Sequence, residues 1–325
     1  MVIVTPALAD ANNGNWRTAQ RWARLLGPAY SVRLTKLWKP DGDARSADDA
    51  LMIALHARRS AASIAAWRAA RPRAPLLLAL TGTDLYRDID EDADAQRSLE
   101  LADAFVVLNE LGPARLPARW RTRCHVVLQS CSARRPRPDK PRNTLRAVMV
   151  GHLRDEKDPA TWFAAIRRLA GRGDLRFDHI GQGLDENLAQ QARALMAEHP
   201  HYRWLGALGH GQARRRIQQA HVLVHPSVME GGAQVVIEAI RSGTPVLGSR
   251  MDGNVGLLGA DYGGYFPVGD AKALATLIER ARDDAAMLPA LARQIEARAA
   301  LFSPQAESAA LQRIVQRLLR QRPSG

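Results

Sequence analysis

Short apolar runs alternate with stretches of helical periodicity along most of the chain. Runs at residues 2–5, 32–37, 51–55, 76–80, 104–108 and 125–128 read as buried strands, because they are brief, apolar and bounded by polar or glycine-containing segments. Residues 131–141 break the pattern with Pro136, Pro138 and Pro141 among charged residues, and read as a linker. The alternation then restarts with strands at 146–150, 175–180, 203–205, 222–225 and 245–248. Helical patterns lie between them, for example at 158–169, 184–198 and 235–241. Residues 304–319 form a last amphipathic helix. Strands that alternate with helices predict parallel sheets joined by crossover helices, and the proline-rich break predicts two of them. The expected domains are 1–140, 141–303 and a C-terminal helix at 304–325 that is able to pack back on the first domain. Ligands of open α/β sheets sit beyond the carboxyl ends of the strands, so function is sought in the loops after each strand.

Composition narrows the class. The chain has 325 residues, 46% hydrophobic and 24% charged, enough apolar content to bury a core and too much for whole-chain disorder. No apolar run approaches the ~20 residues of a membrane-spanning helix, so stable membrane insertion is not expected. The alanine-rich stretch at residues 61–70 permits peripheral attachment without requiring it. Met1-Val2-Ile3-Val4-Thr5-Pro6 reads as a first strand rather than a secretion signal. Two cysteines, Cys124 and Cys131, form no CxxC, which excludes a disulfide framework and a cysteine zinc site and makes a cytoplasmic location the default. The formal charge of +13 invites a nucleic-acid partner. The excess is spread over both halves, however, and only five of the 46 basic residues are lysine, so it reads as a solvated arginine-rich surface and no nucleic-acid partner is expected.

The sharpest local signal begins at Val224-His225-Pro226-Ser227-Val228-Met229-Glu230-Gly231-Gly232-Ala233-Gln234 and runs on to Glu238. A buried strand ends, a glycine pair follows, and a helix starts. Glycines let backbone approach a ligand closely, and helix N-termini suit phosphate oxygens. Glu230 precedes the helix and Glu238 lies within it; were the whole span helical, it would measure about 12 Å at ~1.5 Å per residue. Carboxylates accept hydrogen bonds from hydroxyl pairs. An ordinary helix start with a surface Glu is the competing reading of the Glu pair alone. Downstream, Glu238-Ala239-Ile240-Arg241-Ser242-Gly243-Thr244-Pro245-Val246 ends the helix at glycine and opens the next strand at proline.

Together, Pro226-Ser227, the E-x7-E spacing and this helix-to-strand string resemble the nucleotide-sugar glycosyltransferases of the GT-B fold that carry E-x7-E. The resemblance implies an α/β protein of two Rossmann-like domains with parallel sheets facing across a cleft. It implies that Glu230 contacts the donor sugar and Glu238 the ribose, with Ser227, Gly231, Gly232 and Ala233 beside the diphosphate and sugar. Gly151-His152-Leu153-Arg154-Asp155-Glu156-Lys157 stands where the family has G-R-L-x-x-x-K, whose Arg and Lys clamp the diphosphate. Lys157 matches. His152 replaces the Arg, and Arg154 is the candidate to supply the missing charge. Gly181-Gln182-Gly183 and Leu205-Gly206 fit the family's later glycine turns on the donor side. Positive groups aimed at a leaving diphosphate stabilise developing charge. Literal DxD strings such as Asp41-Gly42-Asp43, Asp88-Ile89-Asp90 and Asp92-Ala93-Asp94 read as solvated turns. No metal and no cofactor beyond the donor substrate is therefore expected.

The N-terminal half offers three loops after strands. The first holds Asn13, Gly14, Asn15 and Arg17, with Gly14 placed to approach a diphosphate and the asparagines placed either to orient hydroxyls or simply to cap the following helix. Trp16 and Trp22 read as core packing. The second holds His56 and Arg58, suited to an anionic acceptor or to an exposed basic helix start. The third, Thr81-Gly82-Thr83-Asp84, has threonine where many relatives of this fold have the His of HGxD, so one candidate base is missing. These strings, with Gly-His-Leu-Arg-Asp-Glu-Lys-Asp-Pro, resemble the selenosugar synthases of selenoneine biosynthesis. That resemblance implies transfer of a hexose (N-acetylglucosamine or glucose) from a UDP-sugar to selenophosphate, a small anion that needs no base, with Asn13, Asn15, Arg17, His56, Arg58, Thr81, Thr83 and Asp84 as the residues expected to hold it. A GT-B enzyme acting on a lipid or saccharide hydroxyl is the first alternative, and a non-catalytic nucleotide-sugar or RNA binder the second.

Overall fold

The computed structural model describes residues 1–6, 14–42 and 44–320. The chain divides into two compact units, one of Met1–Ser130 with Pro304–Gly325, the other of Cys131–Ser303.

In the first unit, β1 (Val2–Val4), β2 (Arg33–Thr35), β3 (Met52–Leu55), β4 (Leu76–Leu80), β5 (Ala104–Val107) and β6 (Cys124–Val126) form one parallel sheet in the order β2-β1-β3-β4-β5-β6. β1, β3, β4 and β5 are buried along their whole length. Their continuous apolar runs are what a sheet covered on both faces demands. One face packs Trp38, Trp67 and Leu99; the other packs Trp22 and Leu26 together with Leu311, Ile314, Val315 and Leu318 of the helix Pro304–Arg320. That helix carries a buried carboxylate, Glu307, which accepts hydrogen bonds from Trp22 Nε1 at 2.8 Å, Arg21 Nε at 2.9 Å and Ser130 Oγ at 2.5 Å.

The second unit repeats the architecture with β7 (Leu145–Val150), β8 (Leu175–Ile180), β9 (Tyr202–Trp204), β10 (Val222–His225), β11 (Val246–Ser249) and β12 (Tyr265–Phe266), in the order β12-β11-β10-β7-β8-β9. All pairs are parallel. The chain leaves β7 toward β8 and β9, then returns to build β10, β11 and β12 on the other side. The strand order therefore reverses between β7 and β10, and the equivalent reversal in the first unit lies between β1 and β3. Such a switch point splays the loops that follow the two strands and opens a crevice there.

Two expectations need correction. Residues 131–141 are not a free linker: Arg134 N–H donates to Arg241 O at 2.8 Å, Arg214 reaches Ser132 O at 2.7 Å, Gln218 reaches Arg135 O at 2.7 Å, and His221 Nε2 meets Pro141 O at 3.1 Å. A segment with no ladder of its own has its carbonyls satisfied by second-unit side chains, so the boundary falls at Ser130 and not at residue 140. Gly243, at φ +64, permits this packing, because a Cβ there would stand 2.7 Å from Pro136 Cγ. Beyond β11 the chain also holds β12 and the helices Asp252–Leu258, Ala271–Asp283 and Met287–Arg298, which the hydrophobic pattern did not single out.

Candidate active site

The second unit's switch point brings several polar and charged side chains together. After β7 the backbone passes Gly151 and turns through a 3-10 segment, Asp155–Lys157, into the helix Pro159–Arg168. Asp158 takes the left-handed conformation, φ 45, and caps that helix by accepting from Thr161 N–H at 3.1 Å. This tight reversal holds Lys157 over Gly151, where a Cβ would touch the lysine's Cγ at 3.4 Å. After β10, His225-Pro226-Ser227 leads into the loop of Glu230. The two loops are stitched by Val228 N–H donating to Glu156 O at 3.0 Å.

Across that stitch, Lys157 Nζ forms an ion pair with Glu230 Oε1. Glu230 Oε1 also accepts from Ser227 Oγ at 3.2 Å and lies 3.7 Å from His225 Nε2. Burial alone would raise the Glu230 carboxyl; the Lys157 ammonium, then His225, outweigh it and hold the group below the usual carboxylate range. Helix Asp252–Leu258 closes the back of this loop, where a Cβ on Gly253 would stand 2.2 Å from Glu230 O. Its Asn254 is fully buried, with Oδ1 2.9 Å from His225 Nδ1 and Nδ2 donating to Ser249 O at 2.8 Å. Ser249 Oγ in turn donates to Ser227 O at 2.5 Å.

Glu238 lies in the seven-residue helix Gln234–Ile240, buried, with Oε1 2.6 Å from His210 Nε2. The E-x7-E span is not helical throughout: the helix begins at Gln234, after Glu230, Gly231, Gly232 and Ala233, so the ~12 Å helical distance does not apply. Gly181 stands where β8 ends. A Cβ there would fall 1.8 Å from Gly151 O, so glycine is what lets the turns after β7 and β8 touch. Gly183 faces Ala189 and Trp204 in the same way, and Gly206 adopts φ +64 after β9. Gly181 N–H donates to Gly206 O at 2.8 Å. The glycines expected on the donor side thus draw the three turns together. His179, pushed down to about 4 by burial and held neutral, meets Gly151 O through Nε2 at 3.1 Å and Tyr202 OH through Nδ1 at 3.2 Å.

The candidates that were to replace the family's Arg behave differently. His152 Nδ1 accepts from Gln182 N–H at 3.0 Å, which ties the ring to the β8 turn. Arg154 is half exposed and lies 3.8 Å from Glu156.

In the first unit, His56 ends β3 in the left-handed region, φ 74, which is rare for a residue with a Cβ. It is buried, with Nε2 3.1 Å from Thr83 Oγ1 and 3.8 Å from Asp88 Oδ2. Burial lowers its pKa; Asp84 and Asp88 oppose this, and Arg59 and Arg58 add to it. The reading of this turn as an exposed basic helix start is therefore replaced, for His56, by a buried, strained histidine. Asp84 is no acceptor contact: Oδ1 accepts from Thr81 and Gly82 N–H at 2.9 and 2.8 Å, and Oδ2 from Ala57 N–H at 3.0 Å. The carboxylate is used up clamping the loops after β3 and β4 together. Arg58 Nε donates to Asp88 Oδ2 at 2.9 Å, so its charge is compensated internally. Gly14 opens the helix Gly14–Leu26, and a Cβ on it would meet nothing within 4 Å. Asn15 and Arg17 lie in that helix's first turn, partly buried; Trp22 is core, whereas Trp16 is only partly buried. Asn13 lies outside the described residues.

The DxD strings are also reassigned. Asp88 is buried and bonded to Arg58 and Arg87, and Asp92 caps the helix Ala93–Leu101 through Ala95 N–H at 2.9 Å, so neither is a solvated turn. Asp43 lies outside the described residues. Among the described residues, no three His, Cys, Asp or Glu side chains group as a metal site, and no helix is long and apolar enough to cross a membrane.

Comparison with known proteins bears on the same segment. The family of glycosyl transferases group 1 matches residues 132–300, just over half the chain and nearly all of the second unit. The chain belongs to the group 1 glycosyltransferases. Solved structures extend the likeness of this glycosyltransferase to both units. A sucrose-phosphate synthase from Thermosynechococcus elongatus superposes at a TM-score of 0.78 with 18% identity, covering 98% of each chain. Anabaena HepE, in complex with UDP and glucose, superposes at 0.74 with 14% identity, covering 98% of this chain and 100% of its own. The two parallel six-stranded sheets are those of the GT-B fold. A human relative, one of the subunits of phosphatidylinositol N-acetylglucosaminyltransferase, is 27% identical over 119 residues; the match spans 36% of this glycosyltransferase and 25% of the human protein.

Two site residues escaped the sequence reading. His210, the partner of Glu238, and Asn254, the partner of His225, lie 28 and 29 positions from the groups they hold. Nothing local marks either one.

Proposed function

We propose that this glycosyltransferase takes a hexose, N-acetylglucosamine or glucose, from a UDP-sugar held by the second unit and transfers it to selenophosphate held by the first. One observation carries the donor half of the reading: the Lys157–Glu230 pair sits on the two loops that diverge at the switch point, directly ahead of Glu238. A cation and a carboxylate side by side suit a sugar diphosphate, since the ammonium serves phosphate oxygens and the carboxylate serves sugar hydroxyls. UDP and glucose in the HepE complex, and UDP-glucose in a second HepE structure, are consistent with such a donor.

In the reaction, the bond between the anomeric carbon and the β-phosphate oxygen breaks, and selenium supplies the electron pair for the new C–Se bond. UDP leaves with the charge that Lys157 offsets. Hydrolysis of the Se–P bond then releases phosphate and a selenosugar. Glu230 orients the hexose and Glu238 the ribose. The acceptor half rests on the likeness of the three N-terminal loops to selenosugar synthases and on Thr81, which leaves its loop without a histidine base. Selenophosphate needs no base because it is already anionic. Arg17, in the first turn of its helix, and the exposed Arg59 are the first-unit cations assigned to it.

A second reading, transfer to a hydroxyl of a lipid or saccharide, draws on the likeness to the human phosphatidylinositol N-acetylglucosaminyltransferase. The deciding experiment incubates the protein with UDP-N-acetylglucosamine and selenophosphate and seeks a selenium-bearing sugar by mass spectrometry. UDP release only when hydroxyl acceptors are supplied instead refutes the selenophosphate reading and favours the second.

A further inference from the structure

Glu230 has one strong charge partner, and the proposed donor competes for it. Lys157 neutralises the partly buried carboxylate, yet a sugar diphosphate would draw the same ammonium toward its phosphates and bring further negative charge beside Glu230. A second basic side chain stands beside Glu230. His225 is buried at the end of β10, and its two nitrogens face different partners. Asn254 gives Nδ2 to Ser249 O and so turns its oxygen to His225 Nδ1, which fixes a proton on Nδ1. Nε2 then faces Ser227 Oγ at 3.3 Å, and that hydroxyl also lies 3.2 Å from Glu230 Oε1.

The neutral ring leaves this row one proton short. Ser227 has a single hydroxyl proton, so it bonds either Nε2 or Glu230, and the other contact sets two lone pairs face to face. A proton on Nε2 satisfies both: Nε2–H donates to Ser227 Oγ, Ser227 donates to Glu230, and the imidazolium charge stands 3.7 Å from the carboxylate. The charged and titratable groups around His225 are few. Its own loop offers Glu230, and the loop after β7 offers Lys157. The helix Asp252–Leu258 offers neutral Asn254, its Asp252 being exposed; β11 pairs Gly248 with His225 and offers Ser249; and the helix Gln234–Ile240, packed on β10, carries Glu238, which is bonded to His210.

We propose that His225, held by Asn254, is a positioning residue that takes up a proton from solvent when the donor binds, replacing Lys157 as the charge partner of Glu230. The inference rests on the donor reading above and extends it to a residue outside the E-x7-E motif.

Calorimetric titration of the full chain with UDP-N-acetylglucosamine, in buffers of different ionisation enthalpy at about pH 7.5, counts the protons. The diphosphate of this probe is fully ionised there, so it contributes none. Uptake of more than about half a proton per donor is expected for the wild type. His225→Gln keeps a hydrogen-bonding group but holds no proton, so it should bind more weakly with uptake near zero. Asn254→Asp pairs with the imidazolium before the donor arrives and should also cut the uptake, which keeps the test open where His225→Gln does not fold. His221→Gln, at the opposite end of β10 from His225, should leave the count unchanged. Wild-type heats that do not vary with buffer overturn the proposal, as does an uptake that is lost with His221 or survives both the His225 and Asn254 changes. Absence of any donor heat is a different result, since it removes the donor reading itself.

Discussion

Removing the Lys157 ammonium should expose how much of the second unit's stability this site consumes or supplies. Lys157→Met keeps the methylene stem over Gly151 and deletes the charge, leaving the Glu230 carboxylate with Ser227 and His225 alone. Breaking a buried pair by deleting one partner costs about 3–5 kcal/mol. Lys157 and Glu230 retain 16% and 14% exposure, so solvent screening brings the cost to the bottom of that range or just below it, about 2–3 kcal/mol. For a unit of this size that lowers Tm by about 4–12 °C. The pH dependence follows from the depressed Glu230 pKa. A carboxyl whose folded pKa lies below its unfolded value, about 4.3, contributes stability fully above that value and loses it as pH falls through the folded one. The gap between wild type and Lys157→Met should therefore be widest at about neutral pH and narrow as the solution is acidified below about pH 4. Differential scanning calorimetry across that range, on the wild type, Lys157→Met, Glu230→Gln and the double variant, completes a thermodynamic cycle. The double variant should be more stable than the sum of the single losses predicts, because Glu230→Gln removes the orphaned charge. Equal Tm for wild type and Lys157→Met at neutral pH, a gap that does not change in acid, or strict additivity would each refute the reasoning.

Two further outcomes follow from the surrounding turns. His179 is buried neutral with its pKa pushed down to about 4, so the unfolded chain binds the extra proton between about pH 6.5 and 4 and wild-type stability falls across that window; at about pH 5 the loss is on the order of 2 kcal/mol, and urea unfolding of His179→Gln should lack this part of the slope. Gly181→Ala places a Cβ against the Gly151 carbonyl, a backbone clash that costs about 3 kcal/mol or spreads the turns after β7 and β8, and it should weaken UDP-sugar binding together with Tm; a variant with wild-type Tm and donor affinity contradicts the close approach.

Legibility in the sequence tracked how local each cause is. The strands from β1 to β11 were visible to within about two residues because parallel, doubly covered strands must be short apolar runs. β12 was not, since its two residues, Tyr265–Phe266, lie between Gly264 and Pro267 and have no room for a period. The positions of Lys157, Glu230 and Glu238 were legible through motif spacing, whereas the direct Lys157–Glu230 ion pair and the partners His210 and Asn254 were not. Lys157 meets Glu230 across 73 positions, and only the adjacency of β7 and β10 brings them together. Charge counting also misled in the first unit: Arg58 and Asp84 looked available to a ligand, and both are committed to the protein's own loops. Composition reports which charges exist, and only the fold reports which of them remain uncompensated.

That distinction separates the two switch points. The loops after β3 and β4 spend Asp84 on three backbone amides and Asp88 on Arg58 and Arg87, and they hold His56 in a strained conformation. Their polar groups are mutually satisfied, which makes a rigid wall with little uncompensated charge. At β7 and β10 the Glu230 carboxylate is compensated by the Lys157 ammonium at the end of a four-carbon stem, with His225 Nε2 3.7 Å away and Ser227 between. A ligand that brings its own negative charge displaces the second arrangement far more readily than the first. That contrast, and not the count of basic residues, is what leads the proposed reading to place the donor diphosphate at the second unit. It is also why any anionic acceptor in the first unit has to be held by cations other than Arg58.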